Sequence, residues 1–183
     1  MKQKAKAFAE KAHEGQTRKS SNEPYITHPI RVAKRLETSG FSDELVCAGY
    51  LHDVVEDTSY EIEDIKEVFG IQVARLVFAH TEDKSKSWRE RKQHAIDTVK
   101  YAPKGEKYLI VADKLDNLLS MEKEYELQGD LLWDNFNAGY DLQKWYNESI
   151  AENMYTGLAA DEVPSYFWEF EEAVARVFGR RSF

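Results

Sequence analysis

Apolar residues in this chain recur at steps of three and four, and almost nowhere at steps of two. Ala5, Phe8, Ala9 and Ala12 fall on one side of a 3.6-residue turn, the mark of a helix with a single buried face. Strands would need alternation and frequent turn residues, yet only 9 Gly and 4 Pro punctuate the 183 residues. That punctuation sits where helices start and stop. Residues 15–24, GQTRKSSNEP, read as a polar loop. Pro29 suits the first turn of a helix carrying Val32, Ala33 and Leu36, which ends near Gly40. Ser42 caps the next helix, with Asp43 and Glu44 in its first turn. A short helix ends at Gly70, and others fit 71–80, 88–101 and 105–121, with Pro103 between the last two. Tyr140, Trp145 and Tyr146 supply an aromatic face in the last third, and Pro164 precedes a terminal helix over 165–178. The predicted fold class is all-α, a bundle of about 8–10 helices. With no repeat and no long linker, the expectation is one domain over 1–183, with a core over 5–121 and an acidic helical part over 122–183.

Charge narrows the function classes. The net charge is −8, but residues 1–35 hold nine Lys/Arg against three Asp/Glu, whereas 121–183 hold five against 13. The acidic last third argues against general nucleic-acid binding, and the basic first segment suits a polyanion. A single cysteine, Cys47, excludes an internal disulfide or a cysteine-based zinc cluster. No apolar run approaches the roughly 20 residues of a membrane span. The opening MKQKAKAFAEKAHEGQ lacks the apolar stretch of a secretory signal, so the expected location is the cytoplasm.

Three segments carry chemistry. In LHDVVEDT, residues 51–58, helical spacing stacks His52 on Glu56 and Asp53 on Asp57, and no Lys or Arg lies between positions 36 and 65. Uncompensated carboxylates beside imidazole suggest a divalent cation. KYLIVADKLDNLL, residues 107–119, is an apolar helix interrupted by Asp113, Asp116 and Asn117. A carboxylate there is costly unless paired or bound to a cation; Lys107 or Lys114 can serve Asp116, which leaves Asp113. PYITHPIRVA, residues 24–33, sets His28 immediately before Pro29 at a helix start. His28, His52, Asp53 and Asp113 make a two-His, two-carboxylate set with positions open for water and substrate. Without thiolate, that set favours manganese or iron over structural zinc. His13 reads as structural or supporting, and His80 and His94 as ordinary helix-face residues.

These residues resemble the H…HD…D signature of the HD-domain metal-dependent phosphohydrolases. The longer strings AHEGQTRKSSNEPYITHPIRVA, LHDVVEDT and VADKLDNL, with WRERK at 88–92, resemble the hydrolase domain of RelA/SpoT proteins and the stand-alone small alarmone hydrolases. The resemblance spans about residues 5–121 and implies an HD-type helical bundle. It implies hydrolysis of the 3′-pyrophosphate of (p)ppGpp, releasing pyrophosphate and GDP or GTP, usually with manganese. The family's metal ligands map onto His28, His52, Asp53 and Asp113, and its catalytic pair onto Glu56 and Asp57. Its base- and phosphate-contacting loop maps onto Arg18, Lys19 and Ser20, and its ribose-side asparagine onto Asn117. The partner implied is a small nucleotide rather than nucleic acid or membrane. Asp116 stands where the family usually has His or Tyr, and Leu119 where it usually has Arg. A cation lost and an anion gained on that wall favour a second reading, the same core acting on another phosphorylated nucleotide such as NADPH or a nucleoside monophosphate. A non-catalytic nucleotide-binding module is the third.

Overall fold

The structure, a computed structural model, describes residues 1–19 and 21–179. Among the described residues there are ten α-helices: α1 (Lys2–Ala12), α2 (Thr27–Thr38), α3 (Asp43–Leu51), α4 (Val54–Asp57), α5 (Ile62–Phe69), α6 (Ile71–His80), α7 (Trp88–Tyr101), α8 (Lys104–Gln128), α9 (Tyr140–Asn153) and α10 (Ser165–Phe178). Two 3₁₀ turns, Gly129–Asn135 and Ala160–Glu162, join the last three. No strand occurs among the described residues; one isolated bridge pairs Thr17 with Pro24 and closes the polar loop.

The helix ends follow the local chemistry of the sequence. Ser42 accepts a hydrogen bond from Leu45 N–H at the start of α3. Ser87 and Glu90 form a reciprocal capping box at the start of α7. α8 runs seven residues past the expected 121, because EKEYELQ continues as strong helix formers until Gly129, whose φ of +60° turns the chain out.

α8 is the axis of the molecule and packs against α2, α3, α6, α7 and α10. Leu109, Val111, Ala112, Leu115 and Leu118 are all buried there. α2 and α3 lie unusually close: a Cβ on Gly49 would stand 2.9 Å from the Ala33 Cα and 2.9 Å from a Leu36 methyl. That closeness brings His28 on α2 to His52 at the end of α3. No described helix is long and apolar enough to cross a membrane.

Candidate metal centre

The LHDVVEDT segment departs from the continuous helix its spacing predicts. α3 stops at Leu51, and α4 starts at Val54. His52 and Asp53 occupy the break, with Asp53 at φ −101°, ψ −2°. The bend turns His52 and Asp53 toward the same point, while Asp53 and Asp57 keep the expected one-turn step: Asp57 N–H donates to the Asp53 carbonyl at 3.0 Å, and both carboxylates face the Tyr25 hydroxyl.

Four donor atoms converge there from three places in the chain. His28 Nε2 lies 3.1 Å from His52 Nε2 and 3.0 Å from Asp113 Oδ1. His52 Nε2 lies 3.0 Å from Asp53 Oδ2 and 3.6 Å from Asp113 Oδ1. Both rings are held from behind. His52 Nδ1 donates to the Gly49 carbonyl at 2.7 Å, and His28 Nδ1 donates to Asp116 Oδ2 at 2.6 Å. With each Nδ1 donating to its own acceptor, the two Nε2 atoms face each other between two carboxylates. Such a set of lone pairs needs a positive charge at its centre. Burial opposes charge on His52, but Asp53 and Asp113 outweigh it and push its pKa well up. His28, His52 and Asp113 are positioned to share one ion, and the mixed imidazole–carboxylate donors suit a divalent metal.

Asp116 does not face a nucleotide as the sequence reading had it. It is buried, accepts from His28, and receives Arg31 Nε at 2.8 Å and Nη2 at 3.1 Å. Neither expected lysine serves it: Lys114 Nζ lies 2.9 Å from Asp113 Oδ2, and Lys107 donates to the Thr156 carbonyl. Leu119 packs against the core, outside the pocket. Its i,i+6 distance from Asp113 turns it away from that ligand's face.

The centre opens into a pocket lined by Tyr25, Glu56, Asp57, Glu82, Arg91, Lys92 and Asn117, among others. Burial pushes the Glu56 carboxyl up and nearby Asp53 adds to it, against the Glu82 N–H that donates to it at 3.1 Å. Asp57 is raised for the same two reasons, against Lys84. Arg18 Nη2 donates to Asn117 Oδ1 at 2.9 Å, and Asn117 Nδ2 donates to Asp113 Oδ1 at 2.9 Å, so this predicted pair stands together beside the centre. Lys19 is exposed on the loop, and Ser20 lies outside the described residues. Arg91 and Lys92 meet Glu82 at 2.9 and 2.5 Å on the far wall.

Three residues here escaped the sequence reading. Tyr25 donates to Asp53 Oδ2 at 2.5 Å, and Arg31 fixes Asp116. His80, read as an ordinary helix-face residue, has a side chain only 5% exposed and puts Nε2 3.0 Å from Asp113 Oδ2. For Tyr25 and Arg31 the signal was their place within PYITHPIRVA; the spacing around His80 held none. His94 is exposed at the pocket edge, and His13 is buried with Nδ1 2.8 Å from Gln16, in keeping with a supporting role.

A helical bundle with paired imidazoles and carboxylates at its core defines a class, and family comparison agrees: an HD-domain model matches residues 5–134. The chain belongs to the HD-domain family. It is similar to human MESH1, a guanosine-3′,5′-bis(diphosphate) 3′-pyrophosphohydrolase, with 40% identity over 63% of this chain and 66% of that protein. The match thus spans just under two thirds of that relative. The Escherichia coli K12 bifunctional (p)ppGpp synthase/hydrolase SpoT is 45% identical over 46% of this chain and 12% of its own length. Among solved structures, lmo0812 from Listeria monocytogenes EGD-e shares 48% identity over 84% of this chain and 99% of that one, with a TM-score of 0.80. A metazoan ortholog of SpoT that hydrolyses ppGpp superposes with a TM-score of 0.76 at 26% identity, over 96% and 93% of the two chains.

Proposed function

We propose that this chain is a divalent-metal-dependent hydrolase that removes the 3′-pyrophosphate of (p)ppGpp, giving pyrophosphate and GDP or GTP. The observation that carries the reading is the convergence of His28 Nε2, His52 Nε2, Asp53 Oδ2 and Asp113 Oδ1 at the floor of a pocket whose walls hold Glu56, Asp57, Arg91 and Lys92. Those four side chains would hold the metal, with manganese the favoured ion, and a bound divalent ion supplies Lewis-acid activation of water and phosphoryl oxygen. Glu56 is the proton acceptor: a half-buried carboxyl on the pocket wall, its pKa raised by burial, suits proton exchange with water. Asp57 stands beside it as the orienting carboxylate. In the hydrolysis water's oxygen bonds to the phosphorus carried on the ribose 3′-oxygen, the P–O3′ bond breaks, and the 3′-hydroxyl takes up a proton as pyrophosphate leaves. Arg18 and Asn117 receive the nucleoside side, and Arg91 and Lys92 supply positive charge for the phosphates.

The MESH1 and SpoT relatives support this substrate over other nucleotides. The features that favoured another nucleotide were Asp116 and Leu119; Arg31 already neutralises Asp116, which also accepts from His28, and Leu119 packs against the core. The packing of α10 against α8 supports treating 1–183 as one folded unit, and a cytoplasmic location fits such a substrate. The test is incubation of the purified chain with manganese and a panel of ppGpp, pppGpp, NADPH and nucleoside monophosphates, with products separated by anion exchange. Pyrophosphate with GDP or GTP is expected; turnover of NADPH or a monophosphate alone would overturn the assignment.

A further inference from the structure

His80 closes α6, and the buried side chains of Val73, Ala74 and Val77 dock that helix so that its last residue reaches the metal centre. The imidazole meets the His52 ring edge-on, with centroids 4.9 Å apart. Its Nε2 faces Asp113 Oδ2 at 3.0 Å, and its Nδ1 is buried with no hydrogen-bond partner among the described residues. A neutral imidazole has one N–H, and a carboxylate only accepts, so the hydrogen sits on Nε2. Asp113 Oδ2 therefore takes two donors, His80 Nε2 and Lys114 Nζ, while Oδ1 accepts from Asn117 Nδ2 and is turned toward His28 and His52.

We propose that His80 is a positioning residue of the metal centre: its hydrogen bond to Asp113 Oδ2 fixes the rotation of that carboxylate, so that Oδ1 is the atom presented to the ion. The proposal rests on reading His28, His52, Asp53 and Asp113 as a divalent-metal site. Its physical basis is the general dependence of metal affinity on the groups behind the ligands. A carboxylate free to rotate loses entropy when it binds, whereas one already held loses little. A ring that merely filled space against His52 would contribute to packing and leave metal affinity unchanged. Lys114 shares the same oxygen and Asn117 holds the other, so the loss on removing His80 belongs at the lower end of the range typical for such groups.

The test compares wild type with His80→Leu, which keeps bulk and removes the donor, and His80→Gln, whose amide N–H can replace it. Each protein is stripped with a chelator, checked for helical circular dichroism, and titrated with Mn(II) while free Mn(II) is read by electron paramagnetic resonance. His80→Leu is expected to bind manganese about tenfold more weakly, and His80→Gln to recover most of that loss. If the Leu variant does not fold, His80→Asn takes its place, its amide one methylene shorter and out of reach of Asp113, with the same expected loss. Equal affinity in wild type and the donor-less variant would overturn the proposal alone, as would a Gln variant no better than Leu. A wild type that binds no manganese would overturn the metal-centre reading itself, and the proposal with it.

Discussion

Asp116 shows how far a residue's neighbours decide its meaning. As a carboxylate on the helix of Asp113 and Asn117 it reads as negative charge beside a polyanion. In place it is buried, clamped by Arg31, and holds the Nδ1 hydrogen of His28. That bond sets the tautomer that leaves His28 Nε2 free for the centre. Asp116→Ala should therefore weaken manganese binding by about 10–100-fold, measured by calorimetric titration, rather than improve nucleotide affinity. Asp116→His removes the same carboxylate and should also weaken metal binding. Glu56 has the opposite character: it touches none of the four donor atoms and lines the pocket. Glu56→Gln keeps its shape and should lower kcat by about 10²–10⁴-fold while manganese uptake stays stoichiometric. Unchanged turnover would assign proton transfer to another group.

At the scale of elements, the centre exists because α2 and α3 touch along Gly49. A methyl there meets the Ala33 backbone, which has nowhere to move within the helix. Gly49→Ala should cost about 1–3 kcal/mol in urea denaturation, as overpacking does. Because Gly49 also accepts the His52 Nδ1 hydrogen bond, the same variant should lose manganese affinity, whereas an overpacked site elsewhere in the core would not. The break between α3 and α4 is the second element-scale device. A helix continuous through 51–58 would send His52 and Asp53 100° apart around its axis. The bend lets consecutive residues serve one point. Helical periodicity extrapolated through LHDVVEDT hid this, because each half of the segment is helical and only the junction is not.

For the molecule as a whole, the far wall of the pocket is an ionic cluster that ties the segment after α6 to α7. Burial works against ionisation of Glu82, but Lys114, Lys92 and Arg91 outweigh it and hold its carboxyl below the usual range. A depressed carboxyl contributes stability that is fully present above its unfolded pKa and is lost as pH falls through its folded value. Glu82→Gln should thus be less stable than wild type by about 3 kcal/mol at pH 7, because it leaves Arg91 and Lys92 without their counter-charge. The gap should close as pH drops below the ordinary glutamate range, read as converging urea midpoints. A constant gap down to acid pH would show that Glu82 acts by packing rather than by charge.

What the sequence determined by itself was everything local. The helical period, Ser42 as a cap and Pro29 in a first turn set most helix ends within a residue or two, because those signals act within one turn. The histidine–carboxylate set was equally legible, since a carboxylate amid Val111, Ala112 and Leu115 is costly without a partner. Tertiary structure alone decided which groups stand behind that set. Arg31 reaches Asp116 across 85 positions, and His80 reaches Asp113 across 33. No periodicity marks such a residue, because its environment is made by the docking of α2 and α6 onto α8. The sign of its effect, a clamp on a ligand or a charge against a substrate, follows from which face that docking buries.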